Sequence, residues 1–440
     1  AYNHRLHSCP KAMSIPMRIR ILSALLFVFV SIPTLNAETT VIKAEAMLDV
    51  REGEITSPAV LVVTDGIIES VNPDSLPAEA RVIDLGDRTL TPGLMDMHTH
   101  ITMDFFSGDD WVTAPVKETA ADWAIRGVKF ANLTLQAGFT TIRDVGTFPG
   151  FADVALMRAI ERGDVPGPDI WPAGHYISIT GGHCDITGFA PGVMEIDYRH
   201  GISDGVDEVM KAVRYQAKHG VRVIKICATG GVFSFSQNAP VGAQQYSLEE
   251  LEAIVREAHK LGLKVAAHAH GTEGINAAVR AGVDSIEHGS ILSDESVRLM
   301  KERGTYFVPN IYLNEKELPP ETPKATVEKN NYLKPLATES LLKAYKGGVN
   351  MALGTDACIF PHGENAKEFA ALVKNGIPEE HALRMATVHA ADLLGVNDRG
   401  ELVAGKRADI IAVDGNPLED ISTLENVRFV MKQGRVYKSP

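Results

Sequence analysis

A few residues in this chain could share one piece of chemistry. The segment "GLMDMHTH" (93–100) ends on His98 and His100, one residue apart, and "VAAHAHG" (265–271) repeats the spacing with His268 and His270. On an extended strand alternate residues share a face, so each pair presents two imidazoles together. "DSIEHG" adds His288, "GTDA" adds Asp356 and "IKICATGG" adds Lys225. A lone buried histidine is usually a hydrogen-bonded core group. Several histidines gathered with a carboxylate are hard to satisfy that way, and they fit a metal site better. Imidazole and carboxylate ligands suit zinc best, with iron, cobalt, nickel and manganese also compatible. His98 and His100 with Asp356 can hold one cation, and His268 with His288 a second. His270 shares the face of His268 and is expected to touch substrate rather than metal.

Lys225 is the unusual member. An ammonium beside two divalent cations is strongly repelled. An amine that has added CO2 becomes a carbamate, an anion with two oxygens that can bridge both cations. The alternative, a protonated Lys225 paired with Asp356 in a one-metal site, fits the same residues.

These side chains need elements that bring them to one place. Between residues 93 and 395 eight short apolar runs alternate with helical patterns. The runs are "GLMDMHTH", "GFTTIRDVG", "DIWPAGHYI", "VRVIKICATG", "LKVAAHAHG", "VDSIEHGS", "TYFVPNIYL" and "VNMALGTDA". Helical stretches such as "SLEELEAIVREAHKLG" and "SDESVRLMKERG" lie between them, and several end on the glycine that a helix C-terminus prefers. The pattern predicts an α/β fold, a (β/α)8 TIM barrel, with the polar residues at the C-terminal ends of its strands, where barrel enzymes carry their chemistry. A doubly wound open sheet is the alternative, but no GxGxxG follows the first strand. Residues 38–92 and 396–440 read instead as short strands punctuated by Gly and Asp. Each flank is too small to stand alone, so both are expected to form one composite β-sandwich, with the 93–395 barrel inserted between its halves.

The matching stretches "TPGLMDMHTH", "GFTTIRDVG", "IKICATGGV", "VAAHAHG", "DSIEHG", "GTDA" and "GELVAGKRADIIAVDGNP" occur in order over roughly residues 40 to 440. Through them the chain resembles the metal-dependent amidohydrolase superfamily, binuclear type with a carboxylated lysine. The branch it resembles holds imidazolonepropionase-like proteins and microbial Xaa-Pro dipeptidases (prolidase-like carboxypeptidases), and it is similar to ochratoxin-hydrolysing amidohydrolases. The resemblance implies that His98, His100 and Asp356 bind one metal, that His268 and His288 bind the other, and that carboxylated Lys225 bridges them. It also implies hydrolysis of an amide by a water activated between two zinc ions, with Asp356 as acid and base. The implied substrates are dipeptides (L-Xaa-L-Xaa, possibly Xaa-Pro) or N-acyl amino acids, ochratoxin-like amides included. The alternative is a cyclic-amide hydrolase or deaminase of the same superfamily. A non-catalytic binding protein is disfavoured, because all six assigned metal-site residues are present.

Further rim candidates for holding a substrate carboxylate are Arg143, His175, Tyr176, His183 and Tyr312. The Gly-rich, aromatic stretch "GGVFSFSQNAPVGAQQY" (230–246) reads as a lid. Cys227 and Cys358, each two residues beyond an assigned metal-site residue, are expected to be packing groups.

Bulk properties set the surroundings. Lys+Arg 43 against Asp+Glu 56 leaves a net charge of −13, which argues against a nucleic-acid partner. Arg18 and Arg20 precede the apolar "ILSALLFVFVSI", and small Ala37 precedes Glu38, which together form a secretory signal and point to a periplasmic or secreted protein. The run is too short for an ordinary membrane span, and an uncleaved segment would make the protein membrane-anchored. Residues ahead of Met13 read as translated upstream sequence. Cleavage after Ala37 removes Cys9 and leaves Cys184, Cys227 and Cys358, an odd number, so no disulfide scaffold is expected. Such barrels often assemble, so a homo-oligomer is expected.

Overall fold

The structure is a computed structural model that describes residues 39–105, 113–148, 150–234, 240–320 and 322–440. The segment read as an export signal lies outside the described residues, as do 235–239 of the candidate lid. Among the described residues no helix is long and apolar enough to cross a membrane.

Seven of the eight apolar runs form strands: Leu94–Thr99, Phe139–Asp144, Asp169–Pro172, Val223–Cys227, Lys264–Ala269, Ser285–His288 and Tyr306–Val308. They pair only with parallel neighbours, the first three in one sheet and the last four in another. Strands buried on both faces must be apolar nearly throughout, and Val223–Cys227 is buried at every position although Lys225 lies at its centre. A parallel bridge between Ile177 and Ile226 links the two sheets on one side. On the other, Phe307 bridges Met351 and Thr99 bridges Ala357.

The eighth run, "VNMALGTDA", forms no strand, contrary to the sequence reading. Its backbone leaves the extended region to aim one side chain. Asp356 has φ +62°, and a Cβ on Gly354 would lie 2.8 Å from the His98 Cβ. The Asp356 amide instead donates to the His98 carbonyl at 2.7 Å. Helices lie between the strands and carry their own stop and start signals. Ser247 and Glu250 form a capping box ahead of Leu248–Lys260, and Gly282 in the left-handed region ends Thr272–Ala281. The fold is a mixed α/β arrangement consistent with a TIM barrel.

The chain ends form two mixed sheets. In the larger, Ile410–Asp414 runs antiparallel to both Arg88–Pro92 and Phe429–Lys432, so three strands from the C-terminal end join three from the N-terminal end along one seam. Ile42, Leu61 and Ile68 from one end share a buried cluster with Ile410, Phe429 and Met431 from the other.

A charged cluster ties this region to the parallel strands. Asp169, at the start of Asp169–Pro172, lies 2.8 Å from Lys432, 2.9 Å from Arg399 and 2.7 Å from Arg407. Burial alone would raise its carboxyl, but the three cations outweigh burial and hold it well below the usual carboxylate range. Asp169→Asn removes the carboxylate the three cations share, although Arg399 keeps Asp398 and Arg407 keeps Asp398 and Asp409, and is expected to cost about 1–3 kcal/mol in urea unfolding at neutral pH. A carboxylate with a depressed folded-state pKa contributes stability above its unfolded value and loses it as the pH falls through the folded one. The gap between wild type and variant should therefore narrow below roughly pH 4. A gap that is constant with pH would show that the carboxylate charge is irrelevant.

Candidate metal centre

Two groups of ligand-bearing side chains meet at the C-terminal ends of the parallel strands. In each, the ligand atoms lie within 4.8 Å of one another: His98, His100 and Asp356 in one, and His268, His270 and His288 in the other. The rings of His98 and His288 link the groups, with centroids 4.9 Å apart. Lys225 lies between them, 98% buried, with Nζ 3.5 Å from His98 Nε2.

Hydrogen bonds fix how the first group presents itself. His98 Nδ1 donates to Glu287 Oε2 at 2.8 Å, and His100 Nδ1 donates to the Gly146 carbonyl at 2.9 Å. Each ring is thereby set in the tautomer whose Nε2 carries a lone pair. Those Nε2 atoms lie 3.6 Å (His98) and 3.3 Å (His100) from Asp356 Oδ1. Asp96 orders the same corner: it accepts from the amides of His98 and Thr355 at 3.0 and 3.1 Å and from Asn365 at 2.8 Å.

The electrostatics match a cation cage. Burial, then Lys225, lowers His98 to about 4; burial lowers His270 to about 4 and puts His268 and His288 well below their ordinary value. These imidazoles are therefore neutral and keep their lone pairs at neutral pH. Burial opposes ionisation of Asp356, while His98 and His100 beside it pull its carboxyl below the usual carboxylate range when their rings are protonated. Burial lowers Lys225 to about 8 against the pull of Glu287 and Asp356. His268 Nε2 is buried with no hydrogen-bond partner, a state that costs free energy unless something binds it. This neutral, lone-pair-rich donor set with an orphaned nitrogen fits divalent metals.

A cavity of about 290 Å³ opens over the cage, lined by His98, His100, Lys225, His268, His270, His288 and Asp356 at its base. Of the rim candidates, His183 and Tyr176 line it. The His183 ring stacks on His268 with centroids 4.2 Å apart. A Cβ on Gly231 would fall 2.6 Å from the His183 ring and 2.8 Å from His268 Nε2, so glycine is required for that approach.

Three candidates are placed elsewhere. Arg143 is 99% buried beneath the cage, donating to the Met97 carbonyl at 2.6 Å, Ser285 at 2.9 Å and Glu287 at 2.7 Å. Its strand position faces the interior, and an interior guanidinium needs a carboxylate. His175 is buried against Phe148 and Phe151, and Tyr312 packs edge-on against Phe360 with centroids 5.1 Å apart. Neither lines the cavity. His270, expected at the substrate, lies within ligand reach of His268 and His288 and bonds Ser290 Oγ at 2.8 Å. The sequence reading missed His200, Trp123, Arg126 and Lys316, which line the outer cavity from loops and helices with no strand-end signal. Cys227 is not a simple packing group either: it forms a disulfide with Cys184, while Cys358 is buried and free.

The profile of the amidohydrolase family matches residues 89–437. The chain belongs to the amidohydrolase family. This amidohydrolase is 36% identical over 435 residues to ochratoxinase from Aspergillus niger, covering 92% of the present chain and 88% of the relative. The solved structure of A. niger ochratoxinase superposes with a TM-score of 0.80 at 33% identity, over 92% of this chain and 97% of that one. A Xaa-Pro dipeptidase with methionine bound in its active site superposes with a TM-score of 0.86 at 39% identity, over 91% and 100%. A 5-methylthioadenosine/S-adenosylhomocysteine deaminase from Syntrophobacter fumaroxidans is 26% identical over 82% of this chain and 81% of its own. The amidohydrolase is thus a hydrolytic enzyme acting on C–N bonds, with a small-molecule substrate.

Proposed function

We propose that this amidohydrolase is a binuclear metal-dependent amide hydrolase. It releases a C-terminal amino acid from dipeptides, Xaa-Pro among them, or from N-acyl amino acids such as ochratoxin-like amides. The observation that carries this reading is the pair of three-residue groups meeting across Lys225 at the base of one cavity. The relatives named as ochratoxinase and Xaa-Pro dipeptidase support the substrate class. The two parallel sheets and the 349–357 segment that bridges their free edges support a closed eight-membered barrel, and the buried cluster shared by both chain ends supports the composite sandwich.

His98, His100 and Asp356 would hold one cation and His268 and His288 the other, with His270 beside them. Two bound cations, zinc by donor type, supply Lewis acidity that polarises an amide carbonyl and makes water nucleophilic at neutral pH. Burial brings the Lys225 amine low enough for a useful fraction to be uncharged and to add CO2, forming an N–C bond and losing a proton. The resulting carbamate would link the two groups. Asp356, ionised and facing the cavity, takes the proton of the attacking water and returns it to the departing nitrogen. His183 stands over His268, where a substrate carbonyl or carboxylate would lie. Export through residues 1–37 would place the activity outside the cytoplasm, which the mass of the mature N-terminus checks.

The test is amino-acid release from a panel of dipeptides and N-acyl amino acids, with and without chelator pre-treatment. Chelator-sensitive release that returns with zinc is expected. Silence across the panel from protein holding two metals per chain would overturn the reading. The deaminase relative keeps deamination as the second reading, and ammonia release from aminopurine nucleosides would reveal it.

A further inference from the structure

One covalent link near the cavity has no role in the chemistry above. Cys184 and Cys227 are 43 residues apart in sequence and are joined by a disulfide, with Cα atoms 6.2 Å apart. Cys227 closes the strand that carries Lys225 and lies in register with His268 on the next strand. Cys184 directly follows His183 in a 173–197 connection that contains no helix or extended strand. Five consecutive residues of that connection, His183 to Thr187, line the cavity.

Much of what holds this stretch is local. Gly181 donates to Asp185 at 2.7 Å, Gly192 donates to Glu195 at 3.1 Å, and Val193 donates to the Ala190 carbonyl. His183 makes longer-range contacts through its amide to Gln245 at 3.1 Å and its Nδ1 to Ser234 at 2.9 Å. Long irregular connections have many conformations of similar free energy. A covalent tie at one point removes those in which the tied residue moves away. Here the tied point is next to the imidazole that stacks on His268, and the other end is fixed to the buried strand that carries Lys225.

We propose that the Cys184–Cys227 disulfide is a positioning element of the active site. It holds the His183–Thr187 loop against the His268 side of the cavity, so that protein with and without the bridge differs in substrate binding rather than in metal content. This rests on the hydrolase reading for its kinetic consequence and on geometry alone for its structural one. Cys184 lies at the cavity wall, where a reductant small enough to enter can reach it. A water-soluble phosphine would be oxidised to its phosphine oxide, water supplying the oxygen and two protons, and would leave two thiols.

The first step is peptide mass spectrometry of air-oxidised protein without reductant. A linked pair of peptides holding Cys184 and Cys227 is expected, and two free thiols there would overturn the proposal. The Cys184→Ser/Cys227→Ser double variant is then compared with the oxidised wild type. KM should rise about tenfold while kcat stays within about twofold and metal per chain is unchanged, because a misplaced substrate contact weakens binding without removing the catalytic groups. Amide exchange over 180–187 should quicken in the variant. If the double variant folds poorly, the same exchange measurement on oxidised and phosphine-reduced wild type replaces it. Unchanged KM and unchanged exchange would overturn the clamp even if amides are hydrolysed. If no amide is hydrolysed, the hydrolase reading fails, and the exchange result still decides for or against the clamp.

Discussion

Asp356→Asn is expected to lower kcat by about 10²–10⁴-fold, the range for losing a positioned proton-transfer group. The side chain lies 3.3 Å from His100 Nε2 and 3.6 Å from His98 Nε2, so in the proposed mechanism it would serve the metal cage as well as the reaction. Two measurements separate those duties. Metal per chain, read by elemental analysis, should fall far less than the rate. A substrate with a leaving group that departs without protonation, such as an activated ester of the same acyl group, should recover much of the lost rate. If the ester is slowed as severely as the amide, Asp356 acts through the metals alone and the proton-transfer role is wrong. A rate within about tenfold of wild type would be too small a loss for any positioned acid or base.

Glu287→Gln should have the largest effect on stability. Glu287 is wholly buried, accepting from His98 on one oxygen and from Arg143 on the other. Burial opposes its ionisation, but Arg143 and His98 prevail and bring it to about 2. Removing its charge leaves the Arg143 guanidinium unpaired in the interior, which costs about 3–5 kcal/mol. Urea unfolding of chelator-treated protein measures this. His98 also loses the acceptor that fixes its tautomer, so metal affinity should fall about 10–100-fold in competition with a chelator. The double variant Glu287→Leu/Arg143→Met distinguishes the two contributions. Replacing both charges by apolar groups should return much of the stability and none of the metal affinity. Recovery of both would mean that Glu287 merely neutralises Arg143.

The chemistry of this chain was legible in its sequence wherever a strand end carried an unusual polar residue. His98, His100, Lys225, His268 and His288 all lie on or just beyond parallel strands, as the period-two reading anticipated. Arg143 obeyed the same rule, yet its guanidinium pairs with Glu287 away from the cavity. A strand residue can point to the interior below the cavity as easily as into it, and spacing does not say at which depth an interior position lies. Tyr312 and His175 lie off the cavity for a related reason: each follows its strand into a loop whose path the sequence leaves open. The 349–357 run looked like a strand because its composition is apolar, yet the left-handed backbone at Asp356 is a demand of the site and not of local propensity. Pairing of Cys184 with Cys227 could not be read from three cysteines, because only the folded register brings residue 184 beside the strand that carries Lys225.

The seam between early and late strands in the larger mixed sheet has a consequence for synthesis. Ile410–Asp414 lies between Arg88–Pro92 and Phe429–Lys432, so the sheet lacks its middle until the far end of the chain leaves the ribosome. At ordinary elongation rates, translation of the intervening 93–409 stretch takes roughly 15–60 s. Throughout that time Arg88–Pro92 presents an open edge, and Leu90, which ends fully buried, lacks the Ile410, Ala412, Phe429 and Met431 side of its cluster. The nascent protein thus depends on whatever shields that edge, such as a chaperone that keeps the chain unfolded. A cell that makes this enzyme slowly, or stalls near its end, should accumulate aggregates rather than a partly active product.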